Sequence, residues 1–444
     1  MTTSAYAPPP LDLIGDDSPI ARRTMRRVSM RLLPFILLLY ILNYLDRTNV
    51  GLAALQMNRD LEFSPAAYSL GAGIFFLGYA VFEVPSNLFL ARVGPRWWIS
   101  RIMVTWGLIA CAMMFVRTPM HFYLLRLSLG IAEAGFFPGI VYYMSQWFPV
   151  TMRARAQSRF MLGVPLANII GGFVGGGLLS LDGRLGIAGW QWLFLLEGIP
   201  SVILGIVVLV VLTNTPADAT WLAEEERGWL IGRLQRDEDS SRAPHGLPPL
   251  EALLNGTLWL TALALLLANT AAYANQFWGP TIIRDTLGTS NTNAGYIGAA
   301  MGIASALMML VVSASSDRHQ ERFGHAAFSA LMVCAGCVGV ALLPLPLLRI
   351  LSLALIPMGI ASFLSPYFCL PGILFRGSAL AAAIALVNSI GNLGGFFGPN
   401  VIGLLVTWTG SNTGAFLSLA VFALAAAAIC MALKRQVSFG GRSA

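Results

Sequence analysis

The chain has 444 residues, of which 56% are hydrophobic and 11% charged, with a formal net charge of +7. Soluble domains average about 25% charged residues, so a water-soluble globule is excluded. The positive charge is confined to particular loops, which excludes nucleic acid as the reason for it.

Residues 1–30 carry Pro8, Pro9 and Pro10, a few acids and then a basic run, and read as a cytoplasmic tail. No small-residue cleavage site follows a short apolar core there, so the first span is expected to be its own insertion signal. A helix crosses the hydrocarbon core in roughly 20 residues. Apolar runs of that order predict six spans near 32–55, 68–90, 97–116, 120–145, 157–181 and 190–212. Six more are predicted near 257–279, 294–316, 326–346, 348–370, 378–405 and 412–433, the ninth and tenth divided only at Pro344, Pro346 and Arg349.

The longest polar interruption, 213–255, separates the two sets of six. In it Asp218 can cap a short helix. Trp221, Leu222, Trp229, Leu230 and Leu234 then recur at helical spacing opposite Glu224, Glu225, Glu226, Arg227, Arg233 and Arg236. That is the pattern of an amphipathic helix on the cytoplasmic membrane face; residues 237–249 read as a flexible linker. The expected organisation is an all-α membrane protein with six-helix bundles over 31–212 and 257–434. A central loop over 213–256 joins them, and a tail over 435–444 follows.

With both termini in the cytoplasm, 21 of the 28 Lys and Arg fall in cytoplasmic segments, while Arg59, Arg117, Arg184, Arg284 and Arg349 face outside. This is the positive-inside rule, and it fixes the even number of spans together with their orientation. All the basic residues except Lys434 are Arg, which points to a GC-rich bacterial genome. The five cysteines lie inside apolar spans, and Cys334 and Cys337 read as small helix residues rather than a redox pair.

The two remaining arginines, Arg47 and Arg126, lie within spans, as do the acids Asp46 and Glu133. A charge near the bilayer centre costs at least about 2.5–3.5 kcal/mol, so it normally serves a function and has a partner. Asp46 sits roughly 20 Å from the cytoplasmic start of its helix. Neighbours on a helix differ by about 100°, so of Asp46 and Arg47 one is expected to face a central cavity and the other a helix seam. Arg126 and Glu133 are seven apart and share a helix face. A guanidinium fork suits a carboxylate and stays charged, and a mid-membrane Glu can gain and lose a proton during a transport cycle. Static ion pairs locking helices together are the structural alternative for both segments.

Other polar residues inside spans are less specific. Tyr79, Asn269, Asn275, Gln276, Asn388 and Asn392 can read substrate hydroxyls or a ring substituent, or can be interhelical hydrogen bonds worth about 0.6 kcal/mol. Glu83, beside Pro85, reads as a gating or structural residue, and Glu197, after Trp190 and Trp192, as a helix-packing residue. Gly171, Gly172 and Gly175 in the fifth span are matched 223 residues later by Gly394, Gly395 and Gly398 in the eleventh, as in transporters built from repeats. The sequence has no P-loop lysine motif, no mid-span His and no metal-ligand spacing.

Several runs carry a resemblance: Asn43 to Gly51, Gly78 to Asn87, Arg126 to Gly139, Gly189 to Gly198 and Asn388 to Phe396. Together they resemble the major facilitator superfamily, specifically its anion:cation symporter branch, and within it bacterial permeases for tartrate, phthalate, hydroxyphenylacetate and galactonate. The resemblance implies two pseudo-symmetric bundles, Arg47 and Arg126 holding a substrate anion, and Asp46 and Glu133 carrying protons. It also implies a pocket lined by Tyr44, Tyr79 and Asn392. The sequence departs from the pattern at Ala91, where an acid is expected, and at Cys369, where a Trp is common.

The expected function is uptake of a small organic carboxylate by proton symport with alternating access. The expected setting is the bacterial cytoplasmic membrane, as a monomer, with no enzymatic activity, cofactor, metal or nucleic-acid partner. Anion exchange or facilitated diffusion on the same fold, and export of amphipathic compounds, are the alternatives.

Overall fold

The computed structural model describes residues 18–241, 255–370 and 378–440. The expectations for residues 1–17, for the part of the 237–249 linker beyond Ser241, for Arg376 and for 441–444 lie outside the described residues; residues 237–241, expected as linker, continue a helix instead. Among those described are 12 helices long and apolar enough to cross a membrane. In order they are Pro19–Asp60, Pro65–Val93, Pro95–Phe115, Pro119–Ser145, Val150–Leu179 and Gly189–Val211. After the central segment come Gly256–Leu287, Asn291–His319, Phe323–Leu342, Pro346–Tyr367, Leu386–Thr409 and Asn412–Gln436. They are called spans 1 to 12 below.

Local chemistry sets the span starts. Pro at the first helical position lacks only an N–H that would go unused, and a preceding Ser or Thr caps the next free donor. Ser18 and Ser64 accept from the backbone N–H of Ala21 and Ala67, each at 3.1 Å, and Thr118 accepts from His121 at 3.2 Å. Span 2 ends at Gly94, whose φ of +94° a residue with a side chain rarely adopts. Span 4 is interrupted just after Glu133, whereas spans 1, 5 and 11 stay in right-handed helical geometry through Asn49, Leu162 and Leu393. In span 4 the break is made by Gly135 at a φ of +87°.

The packing repeats between the halves. Span 5 lies against spans 1 and 8, and span 11 against spans 7 and 2. Exchanging halves maps one set of neighbours onto the other, as expected of two pseudo-symmetric bundles. The glycine runs make these approaches possible. A Cβ on Gly172 would stand 2.7 Å from the Cβ of Ala299 in span 8, and one on Gly394 2.7 Å from the amide nitrogen of Thr270 in span 7. Large side chains such as Val81, Val210, Leu307 and Val421 are exposed around the outside, forming the surface that meets lipid.

Contacts between bundles gather in the halves that the charge distribution assigns to the outer face. The Tyr68 hydroxyl donates to the Phe277 carbonyl at 2.9 Å, Arg284 Nη1 to the Leu55 carbonyl at 2.7 Å, and Trp278 Nε1 to Ser69 Oγ at 3.2 Å. The outer side is therefore closed. In the cytoplasmic half, Ser389 Oγ of span 11 donates to Glu83 Oε2 of span 2 at 3.3 Å.

The central segment forms a helix, Glu224–Ser241. Its apolar side is taken up by the first bundle and not by the membrane surface. Trp229 and Leu230 are buried, and Trp221 stacks on Trp147 at 5.5 Å. Glu226 is buried and accepts from Arg23 and Arg27, each at 2.8 Å, and from the Ala223 N–H at 3.1 Å. Burial pushes the Glu226 carboxyl up, but those donors outweigh it and hold it below the ordinary range.

Candidate functional site

Asp46 and Arg47 end the inner part of span 1 and point to opposite sides of it. Asp46 is buried against spans 3 and 6. Its Oδ2 accepts from Trp106 Nε1 at 2.9 Å and from Ser201 Oγ at 2.7 Å. Arg47 turns to spans 2 and 4. Its Nη2 donates to Glu133 Oε2 at 3.4 Å, and its guanidinium lies 4.8 Å from the Tyr79 ring centre and 5.4 Å from that of Phe75. One turn earlier, Asn43 donates to the same Glu133 oxygen at 2.9 Å.

Arg126 is fully buried. Its Nε donates to the Gly71 carbonyl at 3.4 Å and its Nη2 to the Ala72 carbonyl at 3.2 Å. The Phe75 ring, 4.8 Å away, separates it from Arg47. No ion pair within 4.0 Å joins Arg126 to Glu133 among the described residues. Arg47 Nε, Arg126 Nη1, Glu133 Oε1 and Asp46 Oδ1 are all buried without a partner. Each such atom costs about 1–3 kcal/mol, so this cluster is held together with spare hydrogen-bonding capacity.

Beside the cluster lies a cavity of about 640 Å³ between spans 1, 5, 7, 8 and 10. Its wall reaches Ser158, Ser313 and Ser365 near the cytoplasmic ends of their spans, so it faces the cytoplasm. Tyr44 and Gln276 line it, and Gln276 Nε2 donates across the bundle interface to Asn168 Oδ1 at 3.4 Å. Arg47, Arg126, Asp46, Glu133 and Tyr79 are set back from its wall. Asn269 is instead tied to the Gly391 carbonyl at 3.0 Å, holding spans 7 and 11 together, and Asn388 and Asn392 are half-buried away from the cavity. Cys369 is exposed, with its thiol donating to the Ser365 carbonyl at 3.7 Å.

Asn275, one of the amides read from the sequence as able to meet substrate, is on the wall, and so are three polar residues that went unremarked or were read differently: Asn49, Asn168 and Glu197. Glu197 packs, as expected, but it also lines the cavity, and it is the one Asp, Glu, Lys or Arg to do so among the described residues. The sequence signal was there in outline: Glu197 and Ser201 are four apart on span 6, a polar pair on one face of an apolar helix.

The comparisons with known proteins agree with this geometry. The model of the Major Facilitator Superfamily matches residues 36–374. A relative in Agrobacterium vitis, named provisionally as a tartrate transporter, is 42% identical over 93% of this chain and 92% of its own. A quinolone resistance transporter of Acinetobacter baumannii is 40% identical over 90% and 92%. Among solved structures, an inward-facing, occupied bacterial homologue of the human lysosomal transporter Spinster superposes with a TM-score of 0.74. It has 17% identity and covers 91% of this chain and 96% of that one. The protein is a multi-pass membrane transporter and not an enzyme. It belongs to the major facilitator superfamily, and relatives matched along nearly their whole length are named as transporters, of tartrate provisionally and of quinolone resistance.

Proposed function

We propose that the protein imports a small organic carboxylate (a hydroxy, sugar or aromatic acid) by proton symport across a bacterial cytoplasmic membrane, working as a monomer. The observation that carries the reading is the loose Arg47–Glu133 pair. Charge-assisted N–H···O bonds run about 2.7–2.9 Å; this one is 3.4 Å, with Arg47 Nε and Glu133 Oε1 both unpartnered. Such a pair exchanges readily. Protonation of Glu133 removes its hold on the guanidinium, and a substrate carboxylate takes its place as a bidentate partner. Arg126, behind Phe75, supplies positive potential or a second anchor once the ring moves. With the anion bound and the acids protonated, the interior is charge-compensated and the bundles can rock. Glu83 and Ser389 act as a cytoplasmic gate. Binding in the central region and rocking of the bundles is alternating access.

Proteoliposomes holding the purified protein test this with labelled tartrate and with sugar and aromatic acids. An imposed pH gradient is expected to drive accumulation, and Glu133→Gln to abolish it while leaving exchange of internal for external substrate. Uptake that ignores the gradient and survives Glu133→Gln overturns proton coupling. A second reading, export of amphipathic compounds, is favoured by the absence of Arg and Lys from the described cavity wall and by the quinolone resistance relative. Raised quinolone tolerance in cells expressing the protein would support it.

A further inference from the structure

We infer that Glu197 carries protons in the transport cycle, as the cavity-side member of a carboxyl pair whose inner member is Asp46. The inference rests on the proton-symport reading above and adds a residue to it. Spans 1 and 6 run antiparallel, and their polar residues match in register. Asp46 and Asn49, three apart on span 1, face Ser201 and Glu197, four apart on span 6. The lower rung is closed, since Ser201 donates to Asp46 at 2.7 Å. The upper rung is looser: the Asn49 amide faces the Glu197 carboxyl closely enough to act on it, without a hydrogen bond of ordinary geometry.

Glu197 is only 5% exposed, both its oxygens lack a partner, and its side chain is on the cavity wall. Asp46 is off the wall, 1% exposed, with Oδ1 unpartnered. The groups around the pair are Asn49 from span 1, Trp106 and Cys111 from span 3, Gly175 from span 5 and Ser201 from span 6, with Glu133 acting on Asp46 from span 4. None is a cation, and no ion pair joins either carboxyl to an Arg, Lys or His among the described residues. Arg47, the nearest basic residue in sequence, is engaged with Glu133 on the other side of span 1. Two neighbouring carboxylates in a low dielectric without a cation do not both stay ionised. The pair therefore holds at least one proton, and the cavity is reached from Asp46 by way of Glu197. In the inward-facing state a proton leaving Asp46 protonates the Glu197 carboxylate, which then releases it to the cavity. Loading from the outer face runs the same transfer in reverse.

The test uses the whole protein in lipid. Infrared difference spectra between two pH values read the protonated-carboxyl band without any substrate. The expected result is a titrating band that loses one component in Glu197→Gln and keeps it in Glu197→Asp. In parallel, labelled tartrate uptake under a pH gradient is expected to fall in Glu197→Gln to simple equilibration, with counterflow exchange preserved. A Glu197→Gln protein whose infrared titration coincides with that of the wild type overturns the inference, as does one that still accumulates tartrate under the gradient. If the wild type shows the titrating component but its uptake ignores the gradient, the symport reading fails, and with it the role given to Glu197. If the wild type follows the gradient and Glu197→Gln follows it equally, this inference falls alone.

Discussion

At the scale of single residues, Arg47 and Arg126 divide the labour that the sequence left shared between them. Arg47 lies over Tyr79 and holds Glu133 loosely, whereas Arg126 is fixed to two backbone carbonyls of span 2. Hydrogen bonds to charged groups are worth about 1.5–3 kcal/mol. Arg47→Lys, which keeps the charge and loses the planar fork, is therefore expected to weaken carboxylate binding about 10- to 100-fold. Isothermal titration on the purified protein checks this, and unchanged affinity would remove Arg47 from the site. Arg126→Lys is expected to lower the melting temperature of the substrate-free protein, because the Gly71 and Ala72 carbonyls lose a forked donor. Outside the membrane, burial pushes the Glu321 carboxyl up, but the Gly324 N–H, His325 and Lys434 pull it from 4.5 down to about 2. A depressed carboxyl contributes stability that is complete above its unfolded value and is lost as pH falls through the folded one. This contact between the loop after span 8 and the end of span 12 should thus hold at neutral pH and weaken between 4.5 and about 2. Thermal melts against pH should lose that step in Glu321→Gln.

At the scale of elements, the glycine contacts set how closely spans meet. With the outer face shut, Gly172 in span 5 lies directly against Gly295 and Ala299 in span 8. Gly172→Leu should wedge that seam and shift the population outward. Spin-label distances across the outer face would lengthen and cytoplasmic cavity labelling would fall; unchanged distances would show that the seam yields elsewhere. The central helix is held differently, by Glu226 between Arg23 and Arg27. Both arginine side chains are about half exposed, at 55% and 52%, so solvent screens the pairs. Glu226→Ala should still lose a helix-start bond to Ala223, worth about 1 kcal/mol, and proteolysis of the segment should quicken. The twelve spans were legible because each is a long, unbroken apolar run, and their sides because the arginines alternate. The break at Ala134 and Gly135 was not, since two residues off helical geometry leave the apolar pattern intact. The seat of the central helix was also hidden, because an apolar face reads alike whether protein or lipid covers it.

At the scale of the whole molecule, the repeat seen in two glycine runs proved to be a symmetry of packing, with span 5 on 1 and 8 and span 11 on 7 and 2. The site was less legible than the fold. Asp46 and Ser201 are 155 residues apart, and no local pattern told which of Asp46 and Arg47 would face which neighbour. Glu197 looked like packing because its facing residues belong to span 1. If two protons accompany a monoanion, one net charge crosses per cycle. A membrane potential of 100 mV, negative inside, then adds about 2.3 kcal/mol, which raises the accumulation ratio about 50-fold. Potassium–valinomycin clamps on proteoliposomes measure this, and indifference to the clamp would mean electroneutral transport. The interruption of span 4 brings the molecule back to one of its ionisable residues. Glu133 is the last helical residue before it, and Arg47 of span 1 is held against that carboxylate. A proton or an anion arriving there changes the charge at the knuckle of a rod, where the least bending energy turns the longest lever. Chemistry at a few atoms is thereby geared to the tilt of a whole bundle.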